Sequence, residues 1–387
     1  MRDWHTHVFT STYTADVSGV CSVMYELGGM TILHDPSGCN STYTTHDEPR
    51  WYDTDSLMYV SGLDEMSAIY GDDSVIIADA IRAAGVMKPK FITLCGASIP
   101  HIIAFDYKGV AHLIEKETGI PVLPVPTDGL KSYVSGVGLA TREWIKRFAD
   151  RGAEKKYGSV NLLGVTPIDF SRQENVDDLK AFFSTSGREV NGCFAMGDTF
   201  ENLRNICAAS VNVVASSAGR VPARFLFGKE KIPSVEGLPI GPGMRERLLA
   251  CIREAELTGK NLRAYEDLPE ESEVLVIGEE IFAKSLATEI NYLYRTEGSG
   301  RRARALWPDV NEGFDEEELL EAIDRSKVVI ADPLFRVAVR NRETAFVDFP
   351  HEGYSGRIYR ERIPRFLSAD FPIGSWMEHV SRIAGRN

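Results

Sequence analysis

The 387-residue chain contains no apolar run of roughly 18 residues, the length a membrane span requires. It has no Gly-x-x-x-x-Gly-Lys-Ser/Thr segment, which excludes an ATPase of the P-loop type. No Cys-x-x-Cys pair occurs, which disfavours zinc ribbons and ferredoxin-type clusters. No Gly-x-Ser-x-Gly elbow marks a serine hydrolase. Cysteine is scarce: six residues in this length are too few for a disulfide scaffold. Positive charge is in deficit, with 43 Lys and Arg against 56 Asp and Glu, a net charge of −13. Such a surface repels phosphate backbones, so nucleic acid is not an expected partner. The first residues, Met1 to His7, are polar and hold no signal-peptide core. A soluble cytoplasmic protein without a membrane partner is therefore expected.

What is present is an ordinary globular balance, 43% hydrophobic and 26% charged, ample for a buried core. Strand-like apolar runs alternate with amphipathic runs. Phe91–Cys95 reads as a buried strand, followed by a helix over 102–118. Ile120–Val125 reads as a strand before a helix over Tyr133–Phe148. The pattern continues with Val160–Val165 before Val176–Thr185, Gly192–Met196 before Phe200–Ala208, and Val211–Ala215. Later, Glu273–Gly278 precedes a helix over Ile281–Tyr294, and the acid-started helix Asp315–Arg325 precedes Lys327–Ala331. This alternation predicts parallel sheets with helices on both faces. Polar joints near Gly152–Gly158 and Leu262–Ser272 divide the chain into three doubly wound, Rossmann-like α/β units, over residues 1–155, 156–265 and 266–387.

Ligands of such units sit at the C-terminal ends of strands. That rule selects Cys95, Thr166–Asp169, Met196–Asp198, Ala215–Gly219 and Asp332. Gly136-Val137-Gly138 lacks the full dinucleotide fingerprint and lies in a helix-like stretch. His5 and His7 read as solvated, as do Arg301, Arg302 and Arg304 beside Gly298 and Gly300. Among the cysteines, Cys207 and Cys251 read as core and Cys193 fits either role. Cys39 follows a Pro36-Ser37-Gly38 turn whose backbone N–H groups would favour a thiolate. Cys95 ends a strand before a helix, and Cys21 follows Ser18-Gly19-Val20, read as a second glycine turn. The three thiols of the first unit thus occupy places where side chains converge. A metal cluster and chance placement both remain open on this ground alone.

The segment from Val20-Cys21 to His34-Asp35-Pro36-Ser37-Gly38-Cys39 resembles the start of the nitrogenase component 1 family. That family includes molybdenum–iron protein subunits, cofactor-assembly scaffold subunits and dark-operative tetrapyrrole reductases. Asp35 replaces the first glycine of the family's His-Gly-Pro-x-Gly-Cys turn. Gly62–Asp72 is similar to the family's Asp-x-x-Glu-x-Asp-x-x-x-Gly-Gly stretch. Thr93-Leu94-Cys95 through Val122 looks like its third-cysteine region, with Cys95-Gly96 in place of Cys-Pro and Ala104-Phe105-Asp106 in place of Gly-Asp-Asp. The resemblance implies an iron–sulfur cluster at a subunit interface, [4Fe-4S] or a larger P-cluster-like centre, with Cys21, Cys39 and Cys95 as this chain's ligands. It implies a homodimer, or a heterodimer with a paralogous subunit, and a separate ATP-hydrolysing iron protein as electron donor in an anaerobic setting.

At the substrate end, Ala215 and Ser216 stand where nitrogenase alpha subunits resemble this chain but carry a cofactor cysteine, and neither replaces a thiolate. His351-Glu352-Gly353-Tyr354-Ser355-Gly356 resembles the segment that carries the family's cofactor histidine, one residue shorter. His351 is thus a candidate catalytic contact, with Ser216, Arg220, Arg224 and Tyr354 as candidate substrate contacts. Arg220 and Arg224 would suit an anionic substrate. The expected function is the iron–sulfur subunit of a two-component reductase that passes electrons to a substrate or cofactor in the interdomain cleft. A cluster-assembly scaffold and a non-redox ligand-binding protein are the alternatives.

Overall fold

The computed structural model describes residues 15–36, 38, 48–308 and 316–384. Its strands form three all-parallel sheets. The first has strands β1 (Met30–His34), β2 (Leu57–Val60), β3 (Ile92–Gly96) and β4 (Val122–Pro124), in the spatial order β2-β1-β3-β4. The second has β5 (Lys156–Leu163), β6 (Glu189–Cys193), β7 (Ala209–Val214), β8 (Ser234–Glu236) and β9 (Leu262–Arg263), ordered β6-β5-β7-β8-β9. The third has β10 (Val274–Ile277), β11 (Ala303–Leu306), β12 (Val328–Ala331) and β13 (Ala345–Asp348), ordered β11-β10-β12-β13. Each sheet begins in its middle, winds one way, then crosses back. The crevice where winding reverses lies between the sheet's first and third strands, at their C-terminal ends, where doubly wound folds bind ligands. No helix among the described residues is long and apolar enough to cross a membrane.

Strand periodicity assigns side chains to layers. In the first sheet Leu33 lies opposite Cys95 and Ile32 opposite Leu94. Successive residues face opposite sides. Met30, Ile32, Ile92 and Leu94 therefore pack with Ile76, Ala80, Val110 and Ile114 from the helices Ser74–Met87 and Tyr107–Thr118. Leu33 and Cys95 face the other side, into a core that runs on through the second and third sheets. The second sheet carries a buried ladder of amides. Asn191 Nδ2 donates to Asn161 Oδ1 at 3.0 Å, and Asn161 Nδ2 donates to Asn212 Oδ1 at 2.8 Å. A register slip would leave these groups unpaired in an apolar layer, so the ladder fixes the pairing of β6, β5 and β7.

Where Ser18-Gly19-Val20 reads as a turn, the structure has a helix, Asp16–Met24. It is fully buried and runs against the helix Tyr133–Phe148. Glycine here permits contact between backbones. A Cβ on Gly19 would stand 2.3 Å from Tyr133 O, and one on Gly136 would stand 1.8 Å from Asp16 O. Gly136-Val137-Gly138 is thus a helix-contact motif, with Gly138 seated against Val221. The expected helix over 102–118 is also divided, into Ser98–Ile102 and Tyr107–Thr118. Ala104 takes a positive φ of 58° at the break, and Asp106 restarts the helix by accepting from Gly109 N. Phe200–Ala208 is likewise an α-turn over Phe200–Leu203 followed by a 3-10 turn over Ile206–Ala208.

Gly136→Ala must separate two helices that touch through main-chain atoms. Its expected cost is about 3 kcal/mol, read as a lowered urea midpoint. Gly85, whose added Cβ would meet no atom within 4 Å, is the control: Gly85→Ala leaves the midpoint unchanged or raises it slightly.

Candidate functional site

Two of the three N-terminal cysteines meet. Cys21 comes from the middle of the helix Asp16–Met24, and Cys95 is the penultimate residue of β3. Their thiols are close enough to interact, and Cys95 Sγ donates to Ile32 O at 3.7 Å. The Cys21 contact pushes the Cys95 thiol well above its ordinary range, helped by burial and by the charge of Asp16. Asp16 itself accepts from Asp128 N and Gly129 N, yet burial raises its pKa to about 6. Both thiols are buried, at 1% and 0% exposure. Cys39 lies outside the described residues, as do His5 and His7. His34, at the end of β1, is buried with a pKa near 4 and places Nδ1 2.8 Å from Ser61 Oγ.

A buried, largely apolar setting that holds two thiols suits iron in one respect. A bound cation reverses the cost of ionising such thiols and turns them into ligands. Cys21 and Cys95 therefore fit the resemblance as two thiolate donors of one cluster. Among the described residues no group of three metal-ligating side chains occurs.

A second polar centre lies where the reversal crevices of the second and third sheets face each other. Asp169 follows β5, Ser216 and Ser217 follow β7, Glu279 follows β10, and Asp332 follows β12. His351 Nδ1 accepts from Gly353 N at 3.0 Å, which leaves the ring proton on Nε2, 3.7 Å from Asp169 Oδ1. Burial lowers the His351 pKa to about 4, so the ring is neutral. Asp169 Oδ2 accepts from Thr166 Oγ1 at 3.1 Å. Glu279 accepts from Ser217 N at 2.7 Å and from Phe282 N at 2.9 Å. Burial, then the Asp169 charge, raises the Glu279 pKa to about 8. Asp332 accepts from His351 N and from Ser355 Oγ. Ser22, the residue after Cys21, donates to Glu48 at 3.0 Å.

A family profile described as Nitrogenase component 1 type Oxidoreductase matches residues 20–283, more than half of the chain. The chain belongs to this nitrogenase component 1 type family. It is 28% identical over 216 residues to a light-independent protochlorophyllide reductase subunit of Chlorobium phaeobacteroides (strain BS1), covering 54% of this chain and 40% of the relative. It is 22% identical over 307 residues to the nitrogenase iron-molybdenum cofactor biosynthesis protein NifE of Clostridium pasteurianum, covering 75% and 64%. A solved structure of nitrogenase Cp1 at pH 6.5 superposes with a TM-score of 0.67 at 14% identity, covering 99% of this chain and 94% of that one. The chain spans less than half the length of the reductase subunits it matches first.

In this nitrogenase component 1 type chain the remaining expected site residues serve varied ends. Ser216 is buried and donates to Gly164 O at 2.6 Å. Tyr354 packs against Phe335 and His351 in the short helix Glu352–Ser355. Arg220, expected to await an anionic substrate, does not. Its guanidinium is matched by Glu236, at 2.9 Å, and by Glu280, so its charge is met inside the protein. Arg224 lies exposed on the helix Arg220–Glu230. Cys251, read as core, is only half-buried, while Cys193 and Cys207 are buried. Glu279 is a site residue that sequence reasoning missed. Its signal is an acid directly after the apolar run Val274–Gly278, where the strand-end rule already points.

A separate, open cleft of about 1000 Å³ lies between the first sheet's loops and the ends of β5 and β6, bordered by Tyr25, Arg50, Asp55, Arg172, Gly197 and Arg360 among others. Arg50 is buried at its edge. It donates to Glu48 Oε1 at 2.6 Å, to Glu26 Oε1 at 2.7 Å and to the carbonyls of Ser22 and Ala195.

Two outcomes are expected. Arg220→Ala leaves Glu236 and Glu280 facing each other half-buried, and costs about 3 kcal/mol in urea denaturation. Glu279 carries a raised pKa when folded, so it favours the native state below pH 4.5 and loses that contribution as pH rises to about 8. Glu279→Gln should remove a slope of about 1.4 kcal/mol per pH unit from the stability profile in that window.

Proposed function

We propose that this chain is the iron–sulfur subunit of a two-component reductase, with Cys21, Cys39 and Cys95 as ligands of one cluster. The observation that carries the reading is the meeting of the Cys21 and Cys95 thiols, 74 residues apart, in a chain of the nitrogenase component 1 type. When bound, the cluster supplies one-electron transfer at low potential. The protein's own part is to exclude water and hold geometry. Leu33 lies beside Cys95 across β1 and β3, both thiols are buried in the apolar core, and the Gly19–Gly136 contact fixes the helix that presents Cys21.

The same end of the first sheet supplies a docking face. The short helices after β2 and β3 expose Ile69 at 67%, Tyr70 at 74% and Ile102 at 75%. In this reading these exposed apolar side chains form part of a contact surface. In this reading it receives a second copy or a paralogous subunit, with an ATP-hydrolysing iron protein as the electron source. The polar centre around His351 closes the far end of the electron path, and the substrate or cofactor lies in a cleft between units.

The kinship with NifE, which spans three quarters of this chain, favours a second reading: a scaffold that holds a cluster during assembly and performs no turnover. Both readings require iron on the cysteines. Anaerobically purified protein should be brown and contain about four irons per cluster site. Cys21→Ser and Cys95→Ser should each lose at least half of that iron, while Cys207→Ser retains it. A colourless wild-type protein would overturn both readings. Reduction of an added tetrapyrrole by the chain and its donor separates the first from the second.

A further inference from the structure

The family resemblance implies a metal cofactor between units, held by one cysteine and one histidine. Ser216 and His351 stand at those places here, and both are engaged within the chain. Ser216 Oγ donates to Gly164 O at 2.6 Å, so the hydroxyl in the thiol's place is turned onto the main chain. His351 Nδ1 accepts from Gly353 N at 3.0 Å, and Nε2 faces Asp169 Oδ1 at 3.7 Å. A neutral imidazole has one lone pair for a metal, on whichever ring nitrogen lacks the proton. In His351 that lone pair is taken by Gly353, in the first turn of the helix that His351 itself caps.

The space is filled as well. The crevice of the second sheet opens between β5 and β7, where ligands of such a fold enter. There main chain meets main chain. A Cβ on Gly164 would stand 2.7 Å from Gly219 N, and one on Gly219 would stand 2.5 Å from Leu163 O. In the crevice of the third sheet, Glu279 and Asp332 take the backbone N–H groups of Ser217, Phe282, Leu334 and His351. Aromatic rings of both units interlock at the junction: Phe170 with Phe366 at 6.4 Å, Phe366 with Phe282 at 5.3 Å, and Phe282 with Phe349 at 4.9 Å. Further ties cross from the second unit to the third. Ser217 N donates to Glu279, Ser171 Oγ donates to Glu352 Oε2 at 2.9 Å, and Arg220 pairs with Glu280.

We infer that the junction of the second and third units is a fixed strut that excludes a metal cofactor, with His351 as the crosspiece between Asp169 and the helix Glu352–Ser355. A cofactor on His351 would have to break the Gly353 bond and part Gly164 from Gly219. The strut differs in this from the family pattern that the segment His351–Gly356 resembles. The inference is independent of the cysteine-held cluster, which belongs to the first unit.

The test combines metal analysis with the state of the imidazole. The full chain is purified anaerobically from cells supplied with iron and molybdenum. Ser216→Cys restores the thiol that the family carries, and it should contain the same iron and molybdenum per chain as wild type. His351→Gln should also keep that content, with a lowered urea midpoint. In nitrogen-15 NMR of the histidine-labelled chain, with His351→Gln identifying the signals, Nδ1 should be a hydrogen-bond acceptor and Nε2 should carry the proton. A gain of iron or molybdenum in Ser216→Cys, a loss of either metal from folded His351→Gln, or a metal-bound ring nitrogen at His351 would each overturn the inference. Should His351→Gln fail to fold, Ser216→Cys decides alone. If wild type holds no iron and Ser216→Cys gains none, the cluster reading fails and the strut stands.

Discussion

Main-chain contact between the helices Asp16–Met24 and Tyr133–Phe148 governs how the rest of the molecule is arranged. Two glycines, Gly19 and Gly136, let the axes approach until carbonyl and Cα atoms of opposite helices nearly touch. Helix axes ordinarily lie 8–10 Å apart, held off by side chains. Closing that gap brings Cys21 onto the face of β3 that carries Cys95. The second helix then reaches past the first sheet: Gly138 seats Val221 from the second unit, and Trp144 packs edge-on to Phe194 and Phe200 beyond β6. One helix pair thus positions the thiols and joins two sheets into a common core.

From that core outward, polar groups are placed by topology. All three sheets wind with the same strand order, so each opens a crevice between its first and third strands. The first crevice lies between the end of β1 and the end of β3, which carries Cys95. The other two face each other across Asp169, Ser217 and Glu279. The chemistry differs accordingly. Soft sulfur gathers in the first crevice, whereas oxygen and imidazole, hydrogen-bonded to backbone, fill the facing pair. Such a filled junction favours rigidity between units over ligand entry.

Much of this was legible in the residues. Alternating strand and helix patterns indicate three parallel sheets, and the strand-end rule finds Asp169, Ser216 and Asp332. What escaped did so for identifiable reasons. Asp16–Met24 has no amphipathic stripe because every side is buried, so periodicity has nothing to report. Gly19 suggested a turn because turns and close contacts both select glycine, and only the fold tells them apart. Arg220 suggested a substrate contact because its partners, Glu236 and Glu280, are 16 and 60 residues away. The cleft was invisible for the same reason: its walls come from segments that only folding brings together.

The alternation along β3 has an evolutionary corollary. Leu94 and Cys95 point to opposite layers, one against the helices Ser74–Met87 and Tyr107–Thr118, the other towards Cys21. Adding or deleting one residue ahead of Cys95 within the strand would swap their sides and strand the thiol among aliphatic groups. Length change in this strand is thus tolerable only in pairs. Descendants of this sequence can lengthen its loops freely, but the strand can drift only by even steps.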